Sequence, residues 1–343
     1  MIENSTPRQM VKDLLQGVAP PRPLFLPMVF SVGARIENVP LGAYLGNPTK
    51  IANAQRQIRG PLRSDGVLCY SDPYLEAEAL GAALQWEDGN LSRSLHWPGD
   101  SEIGELPPEI RTPEEALKSA RIGTAMDTIR RMSSVQRDGS LLMASVAGPF
   151  TLAARLTQLP PEDTTRREAF PDDALDLAAS AITQISRAFA EAGANLIFLH
   201  EEFLPQLSAG SCQSWAALLA PVLNVIRFFE ALPVLLITDQ RSLSHNANLL
   251  FQPAWDCVIC PALASDTFRP FAGTPAGRSA TLGLALPSNA FRSDAMDAAK
   301  VRESLRPAVS EFRPALLTTA GDVPPATDMK HLLKVLESVP RNY

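Results

Sequence analysis

Cysteine is scarce in this sequence. Four residues, Cys69, Cys212, Cys257 and Cys260, are too few to staple a chain of 343 residues with disulfides, so stability has to come from a packed core and the thiols are read as reduced. Also missing is any apolar run long and uncharged enough to cross a bilayer; the richest, Leu218 to Phe229, is broken by Asn224 and Arg227. The amino terminus carries Glu3 early and lacks an apolar core followed by a small-residue cleavage site, so no secretory signal is expected and a cytoplasmic location is the default. Excess positive charge is absent too. With a formal charge of −6 and scattered lysines and arginines, the chain lacks the footprint of a nucleic-acid binder, and a small-molecule partner is expected. There is no glycine-rich dinucleotide loop after a strand, no phosphate-cradling Gly-Lys-Ser/Thr loop, no nucleophile elbow and no paired-histidine metal motif. Hydride transfer and nucleotide hydrolysis lose their usual support.

What the chain does contain is eight short apolar runs, each bounded by polar or turn residues: Leu24–Phe30, Gly66–Tyr70, Leu141–Val146, Asn195–His200, Val234–Thr238, Asp256–Cys260, Ala280–Leu286 and Ala315–Thr319. They lack strict alternation, as strands buried on both faces of a parallel sheet should. Helical periods lie between them, the clearest placing Leu175, Ala178, Ile182, Ile185 and Phe189 on one stripe. Thr112-Pro113-Glu114-Glu115 supplies an N-cap, a first-turn proline and a capping-box glutamate. Alternating strands and helices across the chain predict an α/β protein, and eight strands make a closed (β/α)8 TIM barrel spanning residues 1–343 as one domain the economical reading, with a doubly wound open sheet as the alternative. One stretch, Trp86 to Pro108, breaks the alternation and reads as a hairpin or surface excursion after the second βα unit. Cys257 and Cys260 fall within a predicted strand, where residues three apart face opposite ways, so burial is expected rather than a shared metal.

In such a barrel, function gathers at the carboxyl ends of the strands. The second run ends in Ser71-Asp72-Pro73, the fourth in His200-Glu201-Glu202, the fifth in Asp239-Gln240-Arg241, and the eighth leads to Gly321-Asp322. Each carboxylate has a plainer alternative. Asp72 and Asp239 could cap the helices that follow them, Glu201 and Glu202 could be solvated loop residues, and His200 a satisfied buried histidine.

The segments VLCYSDPYLEAEALG (Val67–Gly81), AGPFTLAA (Ala147–Ala154), AGANLIFLH (Ala192–His200) and GDVPPAT (Gly321–Thr327) resemble, in order, four motifs of the uroporphyrinogen decarboxylase-like superfamily. The resemblance implies a (β/α)8 barrel and an activity among tetrapyrrole decarboxylases, cobamide-dependent methyltransferases and zinc-dependent thiol methyltransferases. Asp72 stands where the decarboxylases bind pyrrole nitrogens. Arg155 replaces their tyrosine, however, Glu202 falls near their fourth-strand serine, Gly321 replaces the closing histidine, and the amino-terminal arginine-rich motif is reduced to Gly33-Ala34-Arg35. A pocket acidified by Glu202 would repel a polycarboxylate. Leu236, Thr238 and Gly321 stand where the thiol methyltransferases hold zinc, so no zinc is expected at that site.

Val39-Pro40-Leu41, Asn47-Pro48 and Ser64-Asp65-Gly66 resemble the amino-terminal layout of the cobamide-associated members. The expected activity is therefore transfer of a methyl group between a small methylated compound, or its corrinoid carrier protein, and a non-thiol acceptor such as tetrahydrofolate. Asp72 and Asp239 would orient the substrate, and together with Glu202 they could accept hydrogen bonds from a pterin or hold a cationic methyl donor. Glu202, its pKa raised by a neighbouring carboxylate, would act as acid or base. Arg35, Phe150, Arg155, His200 and Glu201 are the expected substrate-binding residues. His200, Glu201 and Asp239 could instead assemble an oxygen-rich metal site. A decarboxylase of a smaller carboxylate, using Asp72 with Arg155 or Arg35, and a non-catalytic ligand-binding subunit are the rival readings. The partners expected are a small-molecule substrate and a corrinoid protein, with a homodimer as the assembly to test, and neither nucleic acid nor a membrane.

Overall fold

All eight apolar runs become strands of one sheet in the computed structural model, which describes residues 5–87, 92–98, 102–136, 139–239, 243, 245–246, 255–261, 281–291 and 298–342. In chain order the strands are β1 (Leu24–Phe25), β2 (Gly66–Tyr70), β3 (Ala83–Glu87), β4 (Ser92–His96), β5 (Leu141–Ala147), β6 (Leu196–Glu201), β7 (Leu232–Ile237), β8 (Cys257–Pro261), β9 (Thr281–Leu286) and β10 (Leu316–Thr319). The spatial order is β1-β10-β9-β8-β7-β6-β5-β2, every pair parallel. β3 and β4 form the expected excursion, a separate antiparallel pair. Helices α1 (Pro7–Leu15), α2 (Gly33–Ile36), α3 (Leu41–Leu45), α4 (Pro48–Leu62), α5 (Leu75–Ala79), α6 (Pro113–Ala116), α7 (Ala120–Val135), α8 (Pro149–Leu156), α9 (Asp172–Glu191), α10 (Ala209–Phe228), α11 (Ala298–Phe312) and α12 (Met329–Glu337) complete a (β/α)8 TIM barrel.

The predicted apolar stripe of α9 is buried along its length, and the capping box before α6 forms as read, with Thr112 Oγ1 accepting from the Glu115 amide and Glu115 Oε2 accepting from the Thr112 amide. Cys257 and Cys260 are buried free thiols on β8. β1 is shorter than its run because the amides of Met28 and Phe30 donate to side chains, Thr319 Oγ1 at 3.0 Å and Asp322 Oδ1 at 2.7 Å, instead of continuing the ladder. Contrary to the expectation from sequence, one helix among the described residues, α10, is long and apolar enough to cross a membrane by length and composition. Trp215, Leu219, Val222 and Ile226 bury its inner face in the protein.

β1 and β2 meet at Asp65. Its amide donates to Phe25 O at 2.9 Å, and its carboxylate accepts from the Phe25 amide at 2.7 Å and from both terminal nitrogens of Arg22. One side chain thus closes the seam. Asp65→Ala is expected to lower unfolding free energy by about 2–3 kcal/mol, because a charge-assisted acceptor is lost and an amide stranded. Urea denaturation measures this, and a loss under about 0.5 kcal/mol would show the seam closing without it.

Candidate functional site

The carboxyl ends of β2, β5, β6 and β7 carry a connected polar belt. Asp72, two residues beyond β2, has a side chain wholly shielded from solvent, and two arginines hold it. Arg93 comes from β4, its Nη2 lying 2.6 Å from Asp72 Oδ1 and its Nη1 donating to Oδ2 at 2.8 Å; Arg121 comes from α7 and pairs with the same Oδ2. Arg121 also pairs with Glu78 at 3.0 Å. Asp72 Oδ1 further accepts from the Tyr74 amide, which fixes the turn into α5. The Arg93 guanidinium stands 5.3 Å from the Tyr74 ring and 5.2 Å from the Trp86 ring. Also near the Tyr74 ring, at 5.5 Å, lies Arg155 of α8, which donates to Pro73 O and to Glu202 Oε2 at 2.6 Å. His200 Nδ1 is 3.8 Å from Glu202 Oε1, and its Nε2 is 3.3 Å from Thr238 Oγ1 beyond β7. Asp72 and Glu202 therefore belong to one continuous network.

Glu201 faces the other way. Its carboxylate sits on the amino terminus of α8, accepting from the Phe150 amide at 3.2 Å, the Thr151 amide at 2.9 Å and Thr151 Oγ1 at 2.8 Å. Gly148 makes the seat possible, since a Cβ there would fall inside the Glu201 carboxyl group. Thr151 Oγ1 in turn accepts from the Glu202 amide at 2.7 Å, so α8 and the β6 terminus are locked together. The expectation that Glu201 binds substrate is corrected: a fully buried carboxylate whose oxygens accept from the first turn of α8 holds Arg155 and Glu202 in position instead. Phe150 is corrected likewise. It is buried in an aromatic cluster, 5.0 Å from Phe170 and 6.1 Å from Trp215 between ring centroids.

The electrostatics reverse one expectation. Burial pushes the Glu202 carboxyl up, but the Arg155 charge, the neighbouring His200 and the Arg155 hydrogen bond together hold it below its ordinary value. Glu202 is a carboxylate at neutral pH, suited to accept a proton and not to deliver one. His200 is pushed below its ordinary value by burial, with Glu202 pulling up and Arg155 pushing down. Asp322, at the end of β10, is raised to about 6 by burial, against hydrogen bonds from the Ser31 hydroxyl and the Phe30 and Ser31 amides.

Glu76, on α5, is fully buried; its Oε1 accepts from the Ala147 amide at 3.2 Å, while Oε2 has no hydrogen-bond partner among the described residues. Burial raises it to about 7. A carboxyl with its folded pKa above its unfolded value contributes stability that is full below the unfolded value and lost as pH rises through the folded one. Glu76→Gln should therefore gain on wild type by on the order of 2 kcal/mol between about pH 5 and about pH 8. Urea denaturation at the two pH values reads the gain, and a pH-independent difference would rule out a buried, titrating Glu76.

Three other sequence candidates fall as follows. Asp239 is half-buried just beyond Thr238. Arg35 is exposed on α2 and donates to the carbonyls of Ala326 and Thr327, both at 2.9 Å, so it ties the closing turn to the amino-terminal segment. The oxygen-rich site from His200, Glu201 and Asp239 is not assembled, because Glu201 points at α8 while His200 faces Thr238. Where zinc ligands would stand, Leu236 is buried in β7, Thr238 meets His200, and Gly321 leaves room that a Cβ would take up to 3.7 Å from His200 Cε1. That donor set does not fit zinc. The arginines went unread in the sequence: Arg93 lies on the excursion and Arg121 on a helix surface, with no motif around either. Asp322 was visible as a rim carboxylate, but its amide partners at Phe30 and Ser31 lie far away in sequence.

The model of the uroporphyrinogen decarboxylase (URO-D) family matches residues 6–224. A methyltransferase from Methanosarcina mazei superposes with a TM-score of 0.73 at 17% identity, over 97% of this chain and 98% of that one. Less similar is a B12-independent methionine synthase from Shewanella sp. W3-18-1, with a TM-score of 0.40 at 12% identity over 62% and 63% of the two chains. None of the curated proteins matches the sequence.

Proposed function

Since the chain belongs to the uroporphyrinogen decarboxylase (URO-D) family, we propose that it transfers a methyl group between a small methylated compound, or its corrinoid carrier protein, and a non-thiol acceptor such as tetrahydrofolate, at the carboxyl-end mouth of the barrel. The observation that carries this reading is Glu202, a carboxylate about one-third exposed at the mouth, gripped by Arg155 and flanked by His200. A nitrogen that receives a methyl group becomes positively charged, and its N–H is then far more acidic than that of the free amine. A weak carboxylate base suffices to take the proton, and its negative charge favours the cation as it forms. A thiol acceptor would need a metal or cation to hold its thiolate, and Leu236, Thr238 and Gly321 offer none.

Asp72 acts as a positioning residue in this reading. It holds Arg93 and Tyr74, and through them the surface against which Arg155 is set. Asp239 orients the substrate from the β7 terminus. The methyl donor protein, a homodimeric assembly and a single barrel unit belong to the same proposal. Decarboxylation has less support, because the Asp72 oxygens that would receive pyrrole nitrogens already accept from Arg93 and Tyr74 and pair with Arg121. The test is anaerobic incubation of the protein with methylcobalamin and tetrahydrofolate. Mass spectrometry should find methyltetrahydrofolate forming with turnover; binding of both without product would favour a non-catalytic subunit.

A further inference from the structure

The opposite end of the barrel carries a second concave surface. A cleft of about 620 Å³ opens between the end of α4, the outer face of α11 and the segment after α12. Among the described residues its walls include Arg63, Arg302, Arg306 and Arg341, with Glu337 as the one carboxylate, so that three positive charges stand in excess among them in a chain that is acidic as a whole. The position is the amino-terminal end of the strands: Arg341 lies over the Phe25 ring of β1, 4.1 Å from its centroid, and Arg63 follows α4 just before β2.

Two features set this cleft apart from solvated surface charge. Arg341 is held in place, donating to Arg63 O at 2.9 Å and Leu62 O at 3.1 Å, while burial and the nearby Arg63 and Arg22 charges push its pKa down against Asp65 and Glu337. Arg302 and Arg306 are one helical turn apart on α11, and so present two like charges side by side on one face. Guanidinium groups set side by side repel one another, and an oxyanion dense in charge relieves that repulsion.

We propose that this cleft binds a small molecule bearing two linked phosphates. Such a group carries about three negative charges at neutral pH, which matches the excess on the walls, and its oxygens suit the paired guanidinium geometry. The proposal rests on the cleft alone and is independent of the methyl-transfer reading.

Titration calorimetry at matched ionic strength tests it with inorganic pyrophosphate and ADP as probes. Saturable binding in roughly the micromolar to millimolar range is expected. It should weaken about tenfold or more in the double variant Arg302→Gln/Arg306→Gln, both sites being exposed and so free of folding consequences, and persist in Arg155→Gln at the mouth. Tighter ADP binding would identify a nucleoside diphosphate as the ligand, and tighter pyrophosphate binding a free oligophosphate. Absence of saturable binding by either probe, or binding unchanged in the double variant, overturns the proposal.

Discussion

Glu202→Gln is expected to slow methyl transfer about 10²- to 10⁴-fold, the range that removal of a positioned general base usually costs. The variant should fold as wild type does, since the side chain is partly exposed and glutamine still offers Arg155 an oxygen at the Oε2 position. What it loses is the ability to receive a proton and the negative charge that favours the cationic product. The loss should fall on kcat more than on KM, because the interaction forms as the acceptor nitrogen gains charge and is weak beforehand. Pre-steady-state measurement of the methylated product separates the two. A change below about threefold in the single-turnover rate would remove Glu202 from the chemistry.

Asp72→Ala should produce the largest loss of stability, about 3–5 kcal/mol, because it strands Arg93 and leaves Arg121 with Glu78 alone as counter-charge. The arginine side chains are only 9% and 13% exposed, so water cannot take over from the carboxylate. Part of the loss should return in the double variant Asp72→Ala/Arg93→Ala, which removes one stranded cation as well. Urea denaturation of the two variants and wild type gives the coupling directly. A single-variant loss below about 1 kcal/mol would mean that the arginines find other partners and that Asp72 does not organise the mouth.

The barrel was legible in the sequence because each core strand is apolar on both faces, which produces short unbroken runs that turns and helices separate. β2 matches its run from end to end, whereas β1 ends after Phe25 because Thr319 and Asp322 take up the amides that follow. Those partners lie almost the full chain length away, and no local pattern announces them. At the site, strand-end position singled out Asp72, His200 and Glu202, which join one contact network. It failed to separate Glu201 from Glu202, which are adjacent in sequence yet point to a helix terminus and to the mouth respectively. The sign of the Glu202 shift was also out of reach. A neighbouring carboxylate suggested a raised value, but Glu201 is turned away and Arg155, folded over from α8, supplies the opposite charge.

In the proposed reaction Arg155 holds Glu202 as the carboxylate that receives the proton. The pH dependence of kcat/KM for methylcobalamin and tetrahydrofolate, measured in wild type and in Arg155→Met, tests it most directly. The activity of wild type should fall only on the acid side of the ordinary carboxylate range, and in Arg155→Met that acid limb should move to higher pH, since burial without the guanidinium raises the Glu202 carboxyl. An acid limb at the same pH in both proteins would contradict the account.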